Sequence, residues 1–171
     1  MKIRIATIND IDQLCEIGKI TFVETYGEQN TPENLTNYLR EKFNEKQISD
    51  EIHTSKTIFL LVELENEAIG YAKMRENLVE NPDSMSFEIE RIYIIRNYQG
   101  QKYGAILMQK CIDVAIENNY ESIWLGVWEH NPKAIKFYQK WGFETFGEHI
   151  FQLGNDAQTD FLMKKIFTQL V

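Results

Sequence analysis

Two places in this 171-residue chain combine residue types that can do chemistry. The first is the polar stretch Gln99-Gly100-Gln101-Lys102-Tyr103-Gly104. It lies between an apolar run ending at Ile95 and an amphipathic run with Gly104, Leu107, Met108, Cys111, Val114 and Ala115 on one helical face. A strand, a loop and a helix start in that order turn several unpaired backbone N–H groups, and the positive end of a helix dipole, toward one point. The expected guest is an anion, a phosphate above all. The stretch fits neither a dinucleotide nor a P-loop fingerprint, and an ordinary strand-to-helix connection with Gly104 for close packing reads equally well from these residues alone. The second place is Glu88 and Glu90, two apart in the preceding strand. Unless a bulge intervenes they share a face, where paired carboxylates attract a cation and one of them can have a raised pKa. The other reading makes Glu90 the ion-pair partner of Arg91 or Lys73.

The elements that must position these residues follow from periodicity. Lys2–Ile8 alternates as a strand, and Asn9 or Asp10 then caps a helix with Ile11, Leu14, Cys15, Gly18 and Phe22 on one stripe. A loop over Gly27–Asn30 leads to Thr31-Pro32, a helix start, with Leu35, Tyr38, Leu39 and Phe43 at helical spacing. Asn44–Thr54 is a third, short helix anchored by Ile48 and Ile52. Ile58–Leu64 and Ala68–Met74 read as an antiparallel hairpin turning at Glu65-Asn66-Glu67, and Glu76–Ser84, with Pro82, as a loop.

The next strand places apolar residues at Phe87 and Ile89, then at Ile92 and Ile94. That shift of three is what a β-bulge near Glu90-Arg91 produces, although a strand buried on both faces looks similar. After the amphipathic helix, Ser122–Trp128 is a second buried strand. Asn131-Pro132 opens a helix carrying Ala134, Ile135, Tyr138 and Trp141, stopped by Gly142. Strand, helix, strand implies parallel pairing here. Phe143–Leu153 and Thr159–Ile166, joined through Gly154-Asn155-Asp156, close a single α/β domain over 1–171, with a mixed, mostly antiparallel sheet flanked by helices.

Composition excludes several functions. The chain carries 26 acidic and 18 basic side chains, a formal charge of −8, which disfavours a nucleic-acid partner and suits a cationic ligand or simple solubility. Cys15 and Cys111 lie within helical patterns as core thiols, and His53, His130 and His149 have no metal-ligand spacing, so no metal is expected. No stretch reaches the ~18 apolar residues that span a membrane, and the expected location is the cytoplasm. Trp124 and Trp128, on one face of their strand, read as core or pocket wall.

WLGVWEHNPKAIKFYQKWGF joins a buried strand, an Asn-Pro helix start and a Phe-Tyr pair before a Gly-Phe stop. On Gln99, Gly104 and Ala105, then Asn131, Ala134, Phe137-Tyr138 and Gly142-Phe143, the chain resembles the GCN5-related N-acetyltransferase (GNAT) superfamily. Over TFVETYGEQNTPENLTNYLREKF, EIERIYI, IWLGVWEHN and HIFQLGNDAQTDFLMKK it is similar to bacterial spermidine/spermine acetyltransferases of the PaiA type. The resemblance implies the GNAT fold, acetyl-CoA as cosubstrate, and a small cationic amine, a polyamine, as acceptor. It implies that backbone amides at Ile92, Tyr93 and Ile94 hold the pantetheine arm, that Gln99, Gly100, Gln101, Lys102, Tyr103, Gly104 and Ala105 cradle the pyrophosphate, that Asn131 touches the pantetheine, and that Lys140 reaches a phosphate. Lys102 departs from the pattern, standing where many members carry the loop's first glycine.

Within that resemblance Tyr138 is the expected general acid for the departing thiolate, although its apolar neighbours also suit a core tyrosine. Glu90 is the expected base, directly or through a water, because an alkylammonium titrating near ~10 must lose a proton before it attacks. Glu28 and Glu33, near Glu24 at the first helix-helix loop, and Glu88 are expected to bind the amine, with a solvated acidic face as the other reading. Two further functions stay open: acetylation of a protein N-terminus, lysine or other small amine, and a CoA-binding regulatory module without turnover. Edge strands near the C-terminus can pair in a homodimer.

Overall fold

The computed structural model describes residues 1–78, 85–154 and 156–167. Residues 79–84 of the expected loop, Pro82 among them, and Asn155 of the expected turn lie outside the described residues. The elements run β1 (Lys2–Ile5), α1 (Ile11–Tyr26), α2 (Pro32–Lys42), α3 (Glu45–His53), β2 (Thr57–Leu64), β3 (Glu67–Arg75), β4 (Ser86–Ile94), α4 (Tyr103–Glu117), β5 (Ser122–Trp128), α5 (Pro132–Lys140), β6 (Glu144–Leu153) and β7 (Asp156–Ile166). They form a seven-stranded sheet in the order β1-β2-β3-β4-β5-β7-β6, antiparallel everywhere except between β4 and β5.

Local chemistry sets most boundaries. Thr31 accepts the Asn34 N–H with Pro32 at the first helical position, and Asn44 and Asn131 cap α3 and α5 in the same way. Glu65 and Asn66 both take positive φ, the mirror-image turn that matches the twist of a two-residue hairpin. One cap differs from expectation. Neither Asn9 nor Asp10 caps α1 by its side chain; Thr7 opens a 3-10 turn, Ile8–Asp10, ahead of it. Asp10 is taken up by Arg4, at 2.7 and 2.8 Å, and by the Thr7 N–H, so its oxygens cannot serve the helix.

The helices cover both faces of the sheet. On one, α4 buries Leu107, Met108, Cys111, Ile112, Val114 and Ala115 against Ile89, Ile94, Ile123 and Leu125, with α5 beside it. Each large aliphatic side chain so buried contributes about 1.5–3 kcal/mol. On the other, α1 and α3 pack Leu14, Ile17, Phe22 and Ile48 against Phe59, Leu61 and Tyr71.

The bulge lies where the apolar shift predicts it. Arg91 pairs with Lys73 and Ile89 with Met74, which leaves Glu90 as the extra residue of β4. A bulge bends its strand and raises its twist. The parallel seam with β5 runs only through Ser86↔Ser122, Phe87↔Ile123 and Glu88↔Trp124, and it ends just before Glu90. Beyond that point β4 and β5 diverge, and the sheet splits.

A candidate acetyl-transfer site in the split sheet

The split opens into a cavity of about 650 Å³. Its β4 wall is Ile89, Glu90, Ile92, Tyr93 and Ile94, and its β5 wall runs from Leu125 to Trp128. Backbone alternation gives the β4 wall its chemistry. The Ile95 N–H donates to the Ile69 carbonyl of β3 at 2.9 Å, and Tyr93 and Arg91 face β3 in step with it. The amides of Ile92 and Ile94 therefore point into the split, where β5 has withdrawn. The expected trio of amides reduces to these two, while Tyr93 contributes its side chain to the wall.

The loop after β4 closes one side. Gln99 donates from Nε2 to the Ile94 carbonyl at 3.0 Å and accepts from Lys133 Nζ at 2.9 Å, so it braces the strand end against α5. Gly100 and Lys102 both have positive φ, and no side chain caps α4. The first amides of α4 are thus left for a guest. Gly100, Lys102, Gly104 and Ala105 line the cavity; Gln101 and Tyr103 do not. Lys102, Lys133 and Lys140 all lie on the wall, a local excess of positive charge in an acidic chain. This arrangement fits the pyrophosphate of a CoA thioester. Among the described residues no cluster of His, Cys, Asp and Glu is placed to hold a metal.

Lys102 occupies the left-handed region at φ 68, ψ 0. For a residue with a side chain that conformation costs about 1–2 kcal/mol, and glycine returns about 0.5–1 of it in unfolded-chain entropy. Lys102→Gly is therefore expected to raise Tm by about 2–4 °C in thermal unfolding, while raising the KM for acetyl-CoA through loss of one rim ammonium.

Tyr138 projects from α5 into the cavity wall, packed against Phe137 and Phe143 at ring distances of 5.5 and 5.9 Å. Burial pushes its phenol well above the ordinary tyrosine value, so it stays protonated and keeps a proton it can donate. Asn131 also lines the cavity, but its side-chain oxygen is committed to the Ala134 N–H at 3.1 Å, so any contact with the guest falls to its NH₂ group.

The carboxylates depart from expectation. The bulge keeps Glu90 on the same side as Glu88 and brings Arg91 there too, while Ile89 and Ile92 join the opposite core. A closed ion network results. Arg91 makes a bidentate pair with Glu51 of α3 at 3.0 Å; Lys73 bridges Glu51 at 3.0 Å and Glu90 at 2.5 Å; Arg75 joins Glu88 at 2.6 Å and Glu90 at 3.3 Å. Burial pulls the Glu90 carboxyl upward, but Arg91, Lys73 and Arg75 outweigh it and hold it below the usual carboxylate range. A carboxylate so held is a poor proton acceptor, and the cations cancel the attraction that an isolated pair would exert on an amine. Glu88, raised by burial, does not line the cavity. Glu28 and Glu33 are exposed and do not line it either. Glu24 instead accepts the Arg96 N–H at 2.8 Å, tying α1 to the loop after β4.

A model described as the Acetyltransferase (GNAT) family matches residues 13–143. The chain belongs to the GNAT family. This acetyltransferase is 37% identical to an uncharacterized N-acetyltransferase of Lactobacillus delbrueckii subsp. lactis, over 91% of each chain. It is 23% identical to a spermidine N(1)-acetyltransferase of Thermoplasma acidophilum, over 96% of each. Among solved structures it resembles the PaiA N-acetyltransferase of Thermoplasma acidophilum in complex with coenzyme A, with a TM-score of 0.80, 23% identity, and coverage of 98% of this chain and 100% of that one. It is an N-acetyltransferase that uses acetyl-CoA as cosubstrate.

Wall residues that the sequence reading did not single out for the site are Thr25 and Tyr26 at the end of α1, Ile89 on β4, Leu125, Gly126 and Val127 on β5, and Lys133 on α5; Ala134 and Phe137, named only for the family resemblance, are wall as well, and Trp128, read as core or pocket wall, is wall. Their spacing carries no signal because the split gathers them from separate elements.

Proposed function

We propose that this enzyme transfers acetyl directly from acetyl-CoA to a primary amine of a polyamine such as spermidine or spermine, in a ternary complex. One observation carries the reading: the cavity passes through the sheet, and its two faces differ in chemistry. The α4/α5 face offers free amides, three lysines and the Tyr138 phenol, suited to a phosphate-bearing thioester. The α1 face offers Tyr26, Tyr93 and Trp128, aromatic walls that suit an ammonium-bearing alkyl chain. The name of the related spermidine N(1)-acetyltransferase of Thermoplasma acidophilum supports the same substrate class.

In this reading the Ile92 and Ile94 amides hold the pantetheine arm and polarise the thioester carbonyl. The start of α4 holds the pyrophosphate, Lys140 reaches a phosphate, and Tyr138 protonates the departing thiolate. The test is thiol release from acetyl-CoA across a panel of spermidine, spermine, free lysine and a peptide with an open N-terminus. Turnover is expected with the polyamines at the highest kcat/KM. Turnover confined to lysine or the peptide overturns the polyamine assignment.

A further inference from the structure

We propose that Asp160, backed by His149, takes the proton from the acceptor ammonium. The inference rests on the amine-acetylation reading above and assigns its missing base.

Three strands bring the group to the edge of the site, directly behind the wall residue Gly126, although Asp160 and His149 are not themselves among the cavity-lining residues. Asp160 of β7 lies opposite Trp128 of β5 and opposite His149 of β6, so the three side chains share the α1 face of the sheet. Gly126, two residues before Trp128, lets them approach the cavity. A Cβ at Gly126 would stand 3.4 Å from Asp160 Oδ2 and 3.5 Å from His149 Cε1, and Gly126 is itself part of the cavity wall. Across the gap stand Tyr26 and Tyr93, hydrogen-bonded to each other and close enough for the Asp160 charge to raise both phenols, after burial.

What sets Asp160 apart from Glu88 and Glu90 is the absence of a lysine or arginine beside it. Among the described residues it makes no ion pair with lysine or arginine, and His149 Nδ1, though buried, has no hydrogen-bond partner. Burial without neutralisation pushes the Asp160 carboxyl up to about 6, held back only by His149. A carboxylate in that state calls for a cation, and one that titrates near neutrality is matched to proton transfer. That rise brings the carboxyl closer to an alkylammonium, which titrates near ~10.

The protons balance. The ammonium gives one proton to Asp160, and its freed lone pair forms the C–N bond as the C–S bond breaks. Tyr138 gives its proton to the sulfur and recovers one from the nitrogen of the new amide. Asp160 passes its proton to solvent, so each turnover releases one amide, one thiol and one proton.

The experiment is the pH profile of kcat/KM with spermidine for the parent, Asp160→Asn and His149→Gln, together with the Kd for CoA of each. The parent is expected to show an acidic limb near pH 6. Asp160→Asn is expected to lose that limb and about 100-fold in rate near neutrality, recovering as the pH approaches the amine's own value, with CoA affinity within about twofold. His149→Gln is expected to move the limb to higher pH, because the interaction with His149 that lowers the Asp160 carboxyl is gone. An Asp160→Asn enzyme with the parent's limb and rate overturns this inference alone; a parent that acetylates no amine overturns the amine reading and this inference with it. Should Asp160→Asn fail to bind CoA, His149→Gln decides: a shifted limb supports the proposal and an unmoved one overturns it.

Discussion

Replacing Tyr138 with phenylalanine is expected to lower kcat by about 10²- to 10³-fold while leaving the KM for acetyl-CoA within a few-fold of the parent. The side chain is buried between Phe137 and Phe143, so removing one oxygen keeps the packing and the fold. What is lost is a proton donor at the cavity wall. Its burial keeps the phenol protonated throughout the working pH range, which is the state a leaving thiolate needs. A donor that acts as the thiolate departs contributes to kcat and little to ground-state binding. Steady-state kinetics with thermal unfolding as a control separate the outcomes: an unchanged kcat removes Tyr138 from the chemistry, and a lowered Tm with a raised KM makes it a packing residue.

The second large effect is on stability. Glu51→Ala is expected to cost about 3–5 kcal/mol, because it strips the bidentate partner from Arg91 and one of two carboxylates from Lys73, both almost wholly buried. Denaturant unfolding measures the loss. Glu51→Met combined with Arg91→Leu is expected to recover much of it, since removing both charges leaves no unpaired ion, whereas a double variant as unstable as Glu51→Ala would assign the cost to packing. Within the network, Glu90 contributes a pH dependence of definite sign. Glu90 is held below its ordinary value of 4.5, so its contribution is complete above that pH and drains away as acid protonates the folded-state carboxylate. The same pairs fix Glu90 within the bulge, so the damage should extend to the split itself.

Local signals were legible in the chain and long-range ones were not. The three-residue shift between Ile89 and Ile92 located the bulge, since side-chain alternation is a property of the strand alone. Thr31-Pro32 and Asn131-Pro132 located helix starts for the same reason. The neutralisation of Glu90 could not be read, because Glu51 and Lys73 reach it from other elements, and the bulge that was read is what brings Arg91 alongside. The acidic residues of the first helix-helix loop drew notice by their number, yet Glu28 and Glu33 face solvent. Asp160 was within reach. The register of β6 on β7 pairs Leu153 with Asp156 and His149 with Asp160, but starting the last strand at Thr159 hid it.

An unpaired strand edge at the rim of a sheet invites other chains to add to it and aggregate. The split between β4 and β5 creates such an edge in the middle of the sheet, with Ile92 and Ile94 as its unanswered donors, beneath α4 and α5. There it is screened from other proteins yet open to a thin, extended guest. In the reading proposed above, cosubstrate recognition is a form of strand completion that the molecule reserves for a ligand, and the hazard of an open edge becomes a filter on what is admitted.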